Sequence, residues 1–239
     1  MQRGNYVALL ISALALAVAI YGVLERRGAA RRSERLRLST LIADLDGLYY
    51  EQLASPDGLA PGDFADGINS RRELMSMQAL ALLPAFRKEV TSAELRVLAY
   101  ALNRAGYPSE SDRVWLGAIA VAAGEGPTQT LFARRGYGYF LFNCGRLDDA
   151  RGQMRVAVES ATSDEDSQVK AIETLKCWAV EEFRTVPPSR AAADELLTEA
   201  RQLADQIRAP RLRKQMHQDL DELTEPTAAD ALRNGDGRG

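Results

Sequence analysis

The apolar positions of the chain fall into two regimes. Residues 4 to 24, GNYVALLISALALAVAIYGVL, run without a charge between Arg3 and Glu25. A helix of about 20 apolar residues spans a hydrocarbon layer roughly 30 Å thick, so this run predicts one transmembrane helix over 1–24. After Ser33 the apolar residues recur at spacings of three and four, with Leu38, Leu41, Ile42, Leu45, Leu48, Tyr49 and Leu53 on one face. That helix runs to about Ala54 and continues the membrane helix unless Gly28 breaks it. Helical spacing then persists to Leu223, interrupted at Gly and Pro clusters, and no alternating stretch predicts a strand. The expected fold class is all-α.

Local signals place the boundaries. SPDGLAPGD (55–63) is a turn by composition. Ser70-x-x-Glu73 and Thr91-x-x-Glu94 read as capping boxes that open helices, and the apolar run after the first ends or kinks at Pro84. Ser109-x-x-Asp112, Pro127 and Asp148 or Asp149 mark three further helix starts. From Thr224 onward little can be buried, and the tail is expected to be disordered over 224–239.

Two stretches, RVLAYALNRAG (96–106) and RGYGYFLFNCG (135–145), align without a gap. The alignment extends at the same offset of 39: Leu95, Leu98, Ala99, Leu102, Gly106, Ser111, Trp115 and Ala118 match Arg134, Tyr137, Gly138, Leu141, Gly145, Ala150, Met154 and Ala157. Small residues at Ala99 and Gly138 let a second helix approach the first, and Ala118 and Ala157 let it pack against the next. A single helical pair cannot bury its apolar face, so such units stack.

In these positions the chain resembles the tetratricopeptide repeat (TPR) family over residues 92–125 and 131–164. Its pattern is W-x2-L-G-x2-Y followed by A-x3-F, on a period of 34 residues. Arg134 stands where the family has an aromatic, Ser111 stands for Ala, and the closing Pro is absent; five extra residues lie in or beside GEGPTQT (124–130). The resemblance implies a solenoid of TPR-like helical hairpins over 38–223. Residues 165–184 and 190–207 form a third, divergent pair, and 211–223 is a terminal helix carrying Leu212, Met216, Leu220 and Leu223 on one face.

Charge adds an orientation. Arg26, Arg27, Arg31, Arg32, Arg35 and Arg37 crowd the juxtamembrane segment 25–37, whereas only Arg3 precedes the apolar run. The positive-inside rule places the following domain in the cytoplasm, and the collar lies against anionic headgroups at about 1 kcal/mol per Arg near the surface. A cleaved signal is the rival reading, but the run exceeds the usual length and its Ala13-Leu14-Ala15 triplet lies in the middle. Formal net charge is −3 for the whole chain, so the net +5 of residues 1–37 leaves a body of −8 with no reason to seek nucleic acid. Basic residues are almost all Arg and Ala is abundant, as in high-GC bacterial coding.

Chemistry is sparse. The single histidine, His217, sits in a polar helix and reads as a surface residue; Cys144 and Cys177 read as buried thiols with no metal or redox spacing, and a disulfide between them stays open. No cofactor, metal site or enzymatic activity is expected. What remains is a surface. One step off the buried stripe lie Arg96, Tyr100, Asn103 and Arg104 in one unit and Arg135, Tyr139, Phe142 and Asn143 in the other, each set on one side of its helix.

The TPR resemblance implies that this side lines a groove for an extended peptide or a partner's helix. Arg grips carboxylates in planar, multidentate fashion and Tyr supplies contact area at low entropic cost, so the expected partner is a protein or peptide, acidic or carboxyl-terminated. The alternative for Tyr139 and Phe142 is burial under a neighbouring repeat. The expected function is a single-pass adaptor of the bacterial inner membrane, its repeat domain cytoplasmic. The alternatives are a permanent subunit of a larger membrane complex, with Ala13-x3-Ala17 or Ala15-x3-Ala19 helping spans or identical copies associate, and a periplasmic repeat protein.

Overall fold

A computed structural model describes residues 2–53 and 62–224; among these, nine α-helices and one 3-10 turn are present and no strand. The chain divides into two compact units, Met1–Val90 and Thr91–Gly239, a boundary that falls inside the 38–223 span.

The first unit is built on α1 (Gln2–Leu53) and α2 (Gly62–Leu82), followed by the 3-10 turn Leu83–Phe86. Gly28 does not interrupt α1. A helical Gly costs about 1 kcal/mol relative to Ala, and the strong helix formers around it absorb that. Leu38, Ile42, Leu45 and Leu48 of α1 are buried in a core shared with Ile68, Met75, Ala79 and Phe86; Leu41 and Tyr49 lie at its edge. Arg31 forms an ion pair with Glu89 at 2.6 Å and stands 5.8 Å from the Phe86 ring centroid, while Arg35 donates to the Glu89 carbonyl at 3.1 Å.

Ser70 caps nothing. It lies eight residues inside α2, because Ile68 belongs to the buried stripe and the helix must extend to present it. Gly62 and Asp63, expected in a turn, are likewise helical, whereas Pro84 ends the α-helix as expected. Among the described residues no helix is long and apolar enough to cross a membrane. Of the apolar run 4–24, the side chains of 4–15 and 17–19 lie outside the described residues; Leu16, Ile20, Tyr21, Val23 and Leu24 are all exposed.

The second unit is three helical hairpins and a closing helix: α3 (Ser92–Arg104) with α4 (Pro108–Glu125), α5 (Pro127–Asn143) with α6 (Leu147–Glu159), α7 (Glu165–Arg184) with α8 (Arg190–Asp205), and α9 (Pro210–Thr224). Beyond the contacts within each hairpin, α4 packs on α5, α6 on α7 and α8 on α9, and the first helices α3, α5 and α7 adjoin in turn. Met216 and Leu220 of α9 are buried and Leu212 and Leu223 half-buried, which fits its place at the end of the stack. The expected disordered tail lies outside the described residues from 225 on, and Thr224 itself ends α9.

The first two hairpins share their turn. Tyr107 N–H donates to the Leu102 carbonyl at 2.9 Å and Gly106 N–H to Asn103 at 3.1 Å; 39 residues later Arg146 N–H donates to Leu141 at 2.9 Å and Gly145 N–H to Phe142 at 3.0 Å. This is the Schellman arrangement, which needs a left-handed residue, and Gly106 and Gly145 supply it at φ +86° and +72°. Packing repeats too: Leu98, Ala99 and Leu102, like Tyr137, Gly138 and Leu141, are buried, with Ser111 of α4 donating to the Ala99 carbonyl and Met154 of α6 lying against Gly138.

The second helices repeat a small-large-small core three times, as Ser111, Trp115 and Ala118, as Ala150, Met154 and Ala157, and as Ala193, Leu197 and Ala200. In α7, counting from the helix end, Trp178, Ala179 and Glu182 take the places of Tyr137, Gly138 and Leu141. Glu182 is only 1% exposed, and two Arg151 hydrogen bonds at 2.8 Å together with one from Trp178 Nε1 at 2.9 Å satisfy its carboxylate.

Three expected details change. The five extra residues, 126–130, form no loop: Gly126 alone separates α4 from α5, and 127–130 are the first turn of α5, which has 17 residues against 13 in α3. At the end of α4, Glu125 reaches the start of α3 and accepts from the Ser92 amide at 3.0 Å beside the Thr91 and Glu94 capping box, which forms as expected. Ser109 does not cap α4, which opens on Pro108 after Tyr107; Asp112 is engaged elsewhere. Cys144 is exposed, since it closes α5 in a surface turn, and Cys177 is half-buried; both are free thiols.

Candidate binding surface

The eight residues singled out on α3 and α5 separate into three groups. Arg96 and Arg135 come together around a residue the sequence reading passed over, Phe132: each guanidinium stands 5.1 Å from its ring centroid. Arg96 also reaches Gln129 of α5 at 3.5 Å, and its Nε is buried without an acceptor. Burial, then the nearby Arg135, hold the Arg96 pKa below its usual value. Tyr100, more than one-third exposed, forms a second group with Arg104, which donates to its hydroxyl at 3.0 Å and lies 5.8 Å from the ring centroid; Asn103 is half-buried beside them in sequence.

The third group leans towards α7. Tyr139 is half-buried near Cys177, and burial first, then that neighbouring thiol, pushes its pKa well up. Phe142 is buried, as the packing alternative expects, while Asn143 is exposed. Both line a cavity of about 600 Å3 that continues over Leu147, Phe183, Val186 and Pro188. Spacings of three and four along 132, 135, 139 and 142 were the available signal for Phe132.

Around this surface several polar groups pair between hairpins, while Trp115 Nε1 and Arg134 Nε are buried without a partner. Tyr137 donates to Asp112 at 2.8 Å, and Arg146 reaches the same carboxylate at 3.1 Å, tying the α5/α6 turn to α4. Burial first, then the Asp112 hydrogen bond, raise the Tyr137 pKa to about 12. Arg155 stands 5.1 Å from the Trp178 ring and pairs with Glu199 at 2.7 Å, joining α6, α7 and α8. Among the described residues no group of three or more His, Cys, Asp or Glu is placed to hold a metal ion, and His217 contacts Asp205 at 3.0 Å.

The basic collar also divides. Arg31 and Arg35 are tied to Glu89, and Arg37 donates to Gln78 at 3.2 Å, while Arg26, Arg27 and Arg32 are exposed. No protein-family profile, curated protein sequence or solved structure matches the chain.

Proposed function

We propose that the chain is a membrane-tethered adaptor that binds a protein or peptide partner on the face formed by α3, α5 and α7 of a TPR-like hairpin stack. The observation that carries this reading is the joining of Arg96 and Arg135 around Phe132 across two adjacent first helices, because the pair places recognition chemistry on a side that packing leaves partly open. The shared 39-residue geometry of two hairpins supports the repeat relationship. The uncharged run 4–24 within α1, with its exposed apolar residues from Leu16 to Leu24, supports the anchor. The collar that follows favours a cytoplasmic repeat domain at a bacterial inner membrane.

The test is affinity purification of the full chain from detergent-solubilised host membranes, comparing wild type with Tyr100→Ala/Arg104→Gln and with Arg135→Gln. Recovery of a partner by wild type and its loss with both variants, at unchanged helicity, is the expected result. Undiminished recovery would exclude this face and leave a permanent-subunit role. A phosphatase fused after Gly239 should be inactive; activity, which that enzyme gains only in the periplasm, would reverse the orientation.

A further inference from the structure

The face on α5 carries two unlike features in line. Phe132, Arg135, Tyr139 and Phe142 follow one another at spacings of three, four and three, which keeps them on one side of the helix. At one end stand the Arg96 and Arg135 guanidiniums; at the other opens the cavity of about 600 Å3 beside Phe142. Tyr139 lies between them, near Cys177 of α7.

Their electrostatics differ. Neither Arg96 nor Arg135 makes an ion pair among the described residues, and Glu125, the carboxylate acting on Arg96, already accepts from the amide and hydroxyl of Ser92. Arg96 feels the Glu125 charge, but neither guanidinium has a carboxylate in direct contact, and an incoming carboxylate supplies one with charge-assisted hydrogen bonds. In the cavity the charged lining is balanced internally, since Arg184 pairs with Glu181 at 3.1 Å, and Phe142, Leu147, Phe183 and Val186 supply apolar walls. Its volume falls in the range of small-ligand clefts and leaves ample room for an apolar side chain.

Seven residues separate Arg135 from Phe142, or about 10 Å at 1.5 Å per helical residue. An extended chain covers that distance in about three or four residues at roughly 3.3 Å each. We infer that this face takes an extended peptide carrying a carboxylate for Arg96 and Arg135 and, about four residues away, an aliphatic or aromatic side chain for the cavity beside Phe142. This rests on the adaptor reading and specifies its partner.

The probes are acetylated, amidated nine-residue Gly/Ser peptides with Glu and Leu four positions apart, in both orders, titrated calorimetrically into the full chain in detergent micelles. Control peptides replace Glu by Gln, replace Leu by Ser, or place Glu and Leu side by side. One order should bind, and each control should bind at least about tenfold more weakly. Arg135→Gln should cost the Glu peptide about tenfold while changing the Gln peptide less than about twofold. Val186→Asp, at an exposed position, should act in the same way on Leu against Ser.

Equal affinity for Glu and Gln peptides, equal loss for every peptide in a variant, or no binding to wild type at about 1 mM would overturn the inference. Silent probes alongside a native partner that wild type recovers and Arg135→Gln loses would remove the two-point partner and keep the adaptor. A native partner recovered equally by both proteins would remove both.

Discussion

Gly136 of α5 lies directly against the indole of Trp115 from α4: a Cβ placed on Gly136 would fall 2.4 Å from the ring's Cη2 and 2.7 Å from Cζ3. The neighbouring hairpins therefore close on each other through a large residue and the absence of one. Gly138 plays the related part within its own hairpin, where an added Cβ would meet Met154 Cγ and Sδ at 3.0 Å.

The two glycines should respond differently to Ala. At Gly136 the methyl meets a ring that is 4% exposed and has little room to retreat, so overpacking of about 1–3 kcal/mol opposes a helix-propensity gain of about 1 kcal/mol. At Gly138 it meets a flexible thioether, and Ala99 already fills the matching place in the first hairpin. Urea melts should show Gly136→Ala destabilised by up to about 2 kcal/mol and Gly138→Ala within about 1 kcal/mol of wild type. Trp115→Leu should remove most of the Gly136→Ala penalty in a double-mutant cycle.

Glu182 stands where Leu102 and Leu141 stand in the other hairpins. Removing Arg151 strands a buried carboxylate, which costs about 3–5 kcal/mol, whereas Glu182→Leu with Arg151→Met supplies the apolar residue that the slot holds elsewhere and should come close to neutral. Burial alone would raise the Glu182 pKa, but the hydrogen bonds from Arg151 and Trp178 outweigh it and hold it below the usual carboxylate value. A depressed folded pKa adds stability above the ordinary Glu value of about 4.3 and loses it as pH falls through the folded one. Between pH 6 and 3, wild type should therefore lose stability more steeply than Glu182→Leu.

The likeness of the first two hairpins was legible where periodicity and a constant offset coincide. Leu98, Ala99 and Leu102 could be matched to Tyr137, Gly138 and Leu141 because two hairpins that close on the same Gly turn carry their buried positions at the same distance from it. The third hairpin kept its core as Ala193, Leu197 and Ala200 but escaped residue-by-residue matching, because its helices are joined by TVPPS rather than a three-residue turn and a glutamate replaces the last leucine. Gly136 was unreadable for another reason. Its partner, Trp115, lies on the preceding hairpin, and no local pattern says which helix covers it. Ser70 shows the reverse case, a sound local capping signal overridden by burial of Ile68.

Tyr137 should confer an alkaline limit. Burial and its hydrogen bond to Asp112 raise its pKa to about 12, so it stabilises the fold in full below the ordinary tyrosine value of about 10 and progressively less as pH rises through 12. Tyr137→Phe should cost about 1 kcal/mol at neutral pH, since one hydrogen bond is lost while Arg146 still holds Asp112. Melting temperature between pH 9 and 11.5 should fall less in the variant than in wild type.

The division of the collar predicts two separable effects. Arg31 and Arg35 bind Glu89 within the first unit, yet the Arg31 ion pair is well exposed and water screens it, so Arg31→Gln should lower that unit's stability by at most about 1 kcal/mol. Arg26, Arg27 and Arg32 are exposed and, on the anchor reading, serve orientation instead. Replacing all three by Gln removes half of the six arginines that follow the apolar run while Arg3 remains on the other side. A phosphatase fused after Gly239 should gain periplasmic activity in this triple variant, with the helical melting curve unmoved. A shifted melt without a change of orientation would instead assign these three residues to packing, and the collar would cease to be evidence for topology.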